Sequence, residues 1–281
     1  MNDLIQQVQA ASTDQPDWLR KKRQLAAMLL TRFSTGADCD DWVTAWQKKP
    51  QLTWLTEKQE TENDSEIYNQ PLHWAWQTYP ALCQENWMEK GLFWQHSQLN
   101  ALHLALLNGG RLIYVPDNTN VEETVQLKGQ LAATNYHTLV IVGAGAHLQI
   151  KDQREFISHQ PAMTGLEILL GTGAEVNYQW HVDCQADESY IAVGSYQAQG
   201  SSLRVKIAGH NASKSVLALR GDLDGDDSQV AVNVDNLTHS TVVNSHVDSH
   251  FSQDCTYQRQ LLAAERPWQL TGSFGQAVTI K

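Results

Sequence analysis

From about residue 112 onward, short apolar bursts restart every 10 to 15 residues, and within each burst the side chains alternate with period two. In "SLRVKIAG", Leu203, Val205 and Ile207 fall on one side and Arg204 and Lys206 on the other. "EVNYQWHV" does the same with Val176, Tyr178, Trp180 and Val182, and "QVAVNV" with Val230, Val232 and Val234. Such alternation marks half-buried strands. The spacing sets approximate strand starts at Leu112, Val125, His137, His147, Gly165, Glu175, Ser189, Ser202, Lys214, Ser228, Ser240, Cys255 and Trp268. The long interval between His147 and Gly165 contains Pro161 and predicts a longer loop. No helical pattern separates the strands, which excludes a βαβ sheet and leaves a sandwich, an up-and-down barrel or a β-helix. Tight-hairpin signals are scarce: Asn-Gly occurs only at Asn108 and Asp-Gly only at Asp224. Sandwiches and barrels rely on such hairpins, whereas a solenoid turns corners on single Gly, Asn or Asp residues. An irregular solenoid is therefore favoured.

The first third has a different character. Eight of the ten tryptophans precede residue 95. Trp18, Leu25, Met28, Leu29 and Phe33 recur at helical spacing, so an amphipathic helix is predicted over Trp18–Phe33, with Asp17 as N-cap. Further helices are expected near Asp41–Lys48 and Leu82–Lys90. The polar, acidic stretch "TEKQETENDSE" (56–66) reads as an exposed loop.

A formal net charge of −11 opposes nucleic-acid binding, which needs clustered Lys and Arg. The one basic cluster, Arg20-Lys21-Lys22-Arg23, is expected to be a solvated helix face. No apolar run is long enough to cross a bilayer, and "MNDLIQQVQAASTDQPDW" lacks a signal-peptide pattern. Cys39, Cys83, Cys184 and Cys255 are scattered, with no disulfide framework or zinc knuckle. A cytoplasmic protein without membrane contact is expected.

The stretch "QLNALHLALLNGGRLIYVPDNTNVEETVQLKG" carries Leu99-Asn100, Gly110, Ile113-Tyr114-Val115-Pro116 and Val121-Glu122. It resembles the entry segment of the SufB/SufD family, the scaffolds of the SUF iron–sulfur cluster assembly system. "HTLVIVGAGAHLQI", "GLEILLGTGAEVNYQWHVD" and "NSHVDSHFSQDCTYQRQLLAAERPWQLTGSF" are similar to later strand–turn segments of that family, so the likeness spans roughly residues 97–281. The resemblance implies a helical N-terminal domain over 1–104 and a right-handed parallel β-helix over 105–281. Asn108-Gly109-Gly110 would dock the helical domain on the open end of the solenoid, and Val115-Pro116 would end its first strand. The segment with Cys-x-His-Gly-Ala and the C-terminal helices that bind the SufC ATPase have no counterpart here. The sequence thus reads as a C-terminally truncated member, either shortened or degraded in itself or a fragment of a longer chain.

The sharpest side-chain constellation is "NSHVDSH". On a strand His246, Asp248 and His250 point one way, with Val243, Val247 and Phe251 opposite, and Cys255 follows. Imidazole and carboxylate donors suit Zn²⁺ or Fe²⁺. A polar strand face is the competing account, and no fourth donor is specified, so tight metal binding is not expected. "DLDGDDS" has Gly225 at the wrong place for an EF-hand loop and reads as an acidic turn. "GAGAHL" and "GTGAEV" lack the third Gly of a dinucleotide fingerprint and open strands, so they too are turns. No Walker or Gly-x-Ser-x-Gly motif is present, and no catalytic residue is assigned.

Together these features describe a SufD-like, non-enzymatic scaffold in iron–sulfur cluster assembly, with no tightly bound cofactor and, by resemblance, a transient cluster. Its expected partner is a SufB-like scaffold, or itself, through the β-helix end. SufC-type ATPase docking is expected of full-length relatives and not of this chain. The alternatives are a β-helix protein that binds or degrades polysaccharide, or a degenerate scaffold without assembly activity.

Overall fold

The computed structural model describes residues 2–30, 32–33, 46, 51–55, 57–58, 66–157, 159–186, 188–210, 214–235, 241–249, 254–262, 269–271 and 278–280. The helix expected over Asp41–Lys48 and most of the 56–66 loop lie outside these residues. Helices α1 (Asn2–Ala10) and α2 (Asp17–Leu29) come first, then strand β1 (Tyr68–Pro71) and helices α3 (Leu72–Thr78), α4 (Pro80–Asn86) and α5 (Gln98–Ala105). Strands follow almost without interruption. They are β2 (Gly109–Val115), β3 (Val125–Leu131), β4 (Asn135–Val142), β5 (His147–Phe156), β6 (Ala162–Leu170), β7 (Glu175–Cys184) and β8 (Glu188–Gln197). The rest are β9 (Ser202–His210), β10 (Lys214–Leu223), β11 (Gln229–Asp235), β12 (Thr241–Ser249), β13 (Cys255–Leu262), β14 (Gln269–Thr271) and β15 (Val278–Ile280).

Successive strands go to opposite sheets. The even-numbered strands β2 to β14, with β1 at the edge, make an eight-stranded sheet, and the odd ones from β3 to β15 a seven-stranded sheet. From β2 onward every pairing is parallel, which makes a parallel β-solenoid; only β1 runs antiparallel, against β2. The strand starts expected at Val125, His147, Glu175, Ser202, Lys214 and Cys255 are those observed, and the others fall within three residues.

One corner of the solenoid explains the spacing. Asn118, Gly145, Gly173, Gly200, Asp227 and Asp254 all have φ between 55° and 66°, so a left-handed residue returns every 27 or 28 positions. Gly, Asn and Asp carry the least steric cost there. The next residue is small and buried at each of Ala146, Ala174, Ser201, Ser228 and Cys255, because the chain turns into the lumen at that point. The repeat lies in backbone conformation and side-chain size and not in a fixed motif.

The lumen is apolar, built from residues such as Val140, Ile150, Leu166, Ile191, Val205, Leu217, Val232 and Val247. A polar island interrupts it near β4 and β5. Arg154 donates to both oxygens of Asp152 (2.9 and 2.6 Å) and to Thr138, and the Tyr178 hydroxyl donates to Asp152 at 2.7 Å. Burial acts to raise the Asp152 carboxyl, but Arg154 and Tyr178 outweigh it and hold it below its ordinary value.

The helical layer sits somewhere other than the expected end cap. It lies across the outer face of the eight-stranded sheet, where Trp87, Leu92 and Leu102 share a core with Leu112, Leu139, Met163, Tyr190 and Val216. At the end of the sheet itself, β1 supplies the pairing that an edge strand requires.

Helix α2 departs from expectation in three ways. Pro16 occupies the N-cap, makes no side-chain cap bond, and leaves Asp17 as the first helical residue, paired with Arg20 at 2.5 Å. Its buried face is Leu19, Lys22, Arg23, Ala26 and Ala27, while Leu25 and Met28 are 52 % and 50 % exposed. Two members of the basic cluster are thus interior. Arg23 donates to the Ala105 carbonyl at the end of α5 and to Gln15 Oε1 (2.9 Å), and Lys22 donates to the Trp87 carbonyl and pairs with Glu89. Helix-terminal carbonyls have no partner within their helix, and a buried cation meets that need. Burial lowers the Arg23 guanidinium to about 10 and lowers Lys22 as well.

Candidate functional site

Strand register decides which side chains meet on the outer face of the eight-stranded sheet. One row across the strands reads Leu112, Leu139, Glu167, Gly194, Arg220 and His246. The segment from Met88 to His96, between α4 and α5, lies along this row like a strap.

Glu167 is fully buried and anchors the strap. Its Oε2 accepts from the Met88 amide (2.7 Å), and its Oε1 from the amides of Lys90 (3.3 Å), Gly91 (2.8 Å) and Leu92 (3.1 Å). A carboxylate taken out of water requires such donors. One strand further on, the strap backbone presses so close that a Cβ at Gly194 would lie 2.3 Å from the Gly91 carbonyl oxygen.

Beneath the strap two buried imidazoles extend the Glu167 network. His137 Nε2 is 3.4 Å from Glu167 Oε2, and His137 Nδ1 is 3.1 Å from His103 Nε2. The outermost ring nitrogen of this pair, His103 Nδ1, is buried. Burial, followed by the neighbouring His137, pushes His103 well below the ordinary imidazole value. The rings meet because residue 165 is Gly: a Cβ there would be 2.4 Å from His137 Nδ1 and 2.7 Å from His103 Nε2.

The strap's far end reaches a half-exposed cluster. The Arg220 guanidinium lies 4.9 Å from the centroid of the Phe93 ring, and Phe93 stacks on His96 at 4.6 Å. Arg220 Nη2 donates to Asp248 Oδ2 at 2.5 Å, and His246 Nε2 is 3.0 Å from the same oxygen. Burial lowers His96, and the Arg220 charge lowers it further.

The sequence-derived candidates therefore divide. His246 and Asp248 share a strand face as expected, with Val247 opposite in the lumen. His250 lies outside the described residues. Cys255 is not brought to them: it opens β13 in the other sheet, buried in the corner series, 3.2 Å from Ser228 Oγ and from the Gly225 carbonyl. Arg220, His96, Glu167, His103 and His137 were not singled out from sequence. The signal for Glu167 was a lone charge inside the apolar run "GLEILL", and that for Arg220 a charge directly after the apolar run "VLAL".

Asp248 Oδ2 is thus shared between the Arg220 guanidinium and the His246 ring. Among the described residues no group of three His, Cys, Asp or Glu side chains converges to hold a metal. The described thiols are equally dispersed. Cys83 is buried in the helical layer and raised to about 12 by burial, Cys184 is raised by burial at the end of β7, and Cys255 lies in the corner. These three thiols lie in different parts of the structure and do not converge on one site. No helix among the described residues is long and apolar enough to cross a membrane.

No protein-family model matches the chain, and neither does any curated protein.

Proposed function

We propose that this chain is a SufD-like, non-enzymatic scaffold component of iron–sulfur cluster assembly. The observation that carries the reading is the order of its solenoid. The segments on which the resemblance rests alternate as strand and corner along the solenoid: Val115 closes β2, the Gly-x-Gly-Ala turns join β4 to β5 and β6 to β7, and residues 244–249 lie on β12. A scaffold of this kind treats the cluster as cargo. The dispersed thiols fit a role in which a partner supplies most of the cluster ligands.

The partner is a SufB-like scaffold or a second copy of the chain. The last described strands, β14 and β15, hold the outer positions of the two sheets, and parallel strands added beside them would continue both ladders. Coexpression with a SufB-type scaffold, followed by size-exclusion chromatography with light scattering, tests this. A stable heteromer is expected, and Leu270→Pro or Val278→Pro should abolish it, because proline removes a ladder donor. Separate elution of the two chains, with no change in the cluster content of the SufB-type partner, would refute the proposal.

A further inference from the structure

The helical layer carries an open groove of about 380 Å³ between α1, α2 and the strap, lined by Ile5, Leu25, Met28, Leu29, Arg32 and Trp94. Its walls are fixed. Leu4 and Val8 seat α1 in the core, and Leu19, Ala26 and Ala27 seat α2. Trp94 is buried; its amide donates to the Met88 carbonyl (3.3 Å) and its indole N–H to Glu89 Oε1 (3.3 Å). Leu25 and Met28, by contrast, are half-exposed and stand three positions apart, so they are neighbours on one face of α2. Isolated apolar side chains are ordinary on a protein surface, but a contiguous pair over an apolar groove marks an interaction site. Among the described residues the remaining large apolar side chain in contact with solvent is Tyr79, whose ring packs edge-on against Tyr68 and Tyr114.

Charge narrows the occupant. Lys21 lies four positions before Leu25 and Arg32 four after Met28, and both are exposed. The carboxylates nearest in the helical layer are engaged or turned elsewhere. Asp17 pairs with Arg20, Glu89 pairs with Lys22, and Asp3 is two positions from Ile5 and so lies off its face. In a chain of net charge −11, this apolar pair is flanked by a cation on each side.

Three occupants can be compared on that basis. A second copy docking its own α2 is disfavoured. Antiparallel helices that bring Leu25 onto Met28 of the other copy also bring Lys21 onto its Arg32, and parallel helices bring Lys21 onto Lys21. A bilayer surface meets only the projecting Leu25 and Met28 and leaves the buried Trp94 wall uncovered. An amphipathic helix fits both features. Its apolar ridge enters the groove, and acidic residues beside the ridge meet Lys21 and Arg32. Those two cations are eleven positions apart, which corresponds to about 16 Å, or three turns of a docked helix. We propose that this groove is the docking site for an amphipathic helix of a protein partner, with Asp or Glu flanking its apolar ridge. The site is independent of the scaffold proposal and of strand pairing at β14 and β15.

Fluorescence anisotropy of the full chain with two labelled four-turn helical peptides tests this. Both carry leucines at positions i, i+3, i+4 and i+7; one has glutamates on the flanks and the other lysines. Saturable binding of the glutamate peptide is expected, with the lysine peptide about tenfold weaker. Leu25→Ala should weaken the glutamate peptide about tenfold, since it removes apolar surface that docking buries. Arg32→Glu should reverse the preference between the two peptides. Both substitutions fall at exposed positions, and alanine favours the helix, so each variant remains readable. Absence of saturable binding by the glutamate peptide would overturn the proposal, as would equal binding of the two peptides or binding unchanged by Leu25→Ala. Two further results would also overturn it. One is a dimer seen by light scattering that Leu25→Ala abolishes; the other is cosedimentation with phosphatidylserine vesicles that the same substitution abolishes.

Discussion

The two sheets share one lumen but meet different surroundings on their outer faces. In the seven-stranded sheet, β5 alternates between exposed and buried residues for most of its length, and β11 does the same. In the eight-stranded sheet every residue of β6 is buried, and all but one of β4. The helical layer causes the difference, since it replaces water on that side. A strand covered on both faces cannot advertise itself by alternation. The three segments with the clearest period-two pattern, at Val176, Leu203 and Val230, all belong to the uncovered sheet. A solenoid sheet without alternation is therefore a sign that something packs on it.

That comparison is sharpest at Glu167. Glu167→Ala would leave three buried amides and the part-buried Lys90 amide without their acceptor, and we expect a loss of about 4 kcal/mol or more in urea unfolding, with the strap released. A loss below about 1 kcal/mol would mean that the strap does not depend on this carboxylate. Gly194→Ala comes next. Its new Cβ would collide with the Gly91 carbonyl, and about 2 kcal/mol of destabilisation is expected, read as a fall in thermal midpoint.

Acid should loosen the covered sheet and spare the exposed one. His103 has a folded-state value well below 6.5, so between that value and 6.5 the unfolded chain binds the extra proton and the folded chain does not. Stability is therefore intact above pH 6.5 and falls as pH drops, by about 1.4 kcal/mol per pH unit from this group. Hydrogen exchange at pH 7 and pH 5 should show the loss concentrated in α5, β4 and β6, and His103→Gln should flatten the pH dependence.

Smaller effects are expected where water reaches the side chains. His246→Ala removes one half-exposed partner of Asp248 and should cost no more than about 1 kcal/mol, with no change in iron or zinc content by elemental analysis. Glu175→Ala, on the uncovered sheet, should fall within about 0.5 kcal/mol of the parent, because its contact with His147 is exposed. A larger loss there would mean that this face also carries a covering partner.

Much of the solenoid is legible in the sequence, because strand alternation and corner chemistry are local. Val125, His147, Glu175, Ser202, Lys214 and Cys255 could be placed as strand starts without any long-range information. The corner series was harder to read. What repeats at Asn118, Gly145, Gly173, Gly200, Asp227 and Asp254 is a backbone angle that three residue types can adopt. The helix α2 pattern misled, since Leu25 and Met28 marked an apolar face that the structure leaves in contact with solvent. Lys22 and Arg23 were taken inside instead because carbonyls at Trp87 and Ala105 needed donors.

The candidate site divides along the same line. His246 and Asp248 are two residues apart on one strand, so period two alone places them side by side. Joining Asp248 to Arg220, His103 to His137, or Glu167 to the Met88–Leu92 amides spans 28, 34 and more than 70 positions. Those meetings depend on how many residues each coil contains and on which face the helices cover. The sequence determined the strands, their corners and the face each side chain takes, because neighbouring residues fix these within a few bonds. Only the tertiary structure decided which strands became neighbours and what covered them, because register and packing are set by the whole coil at once.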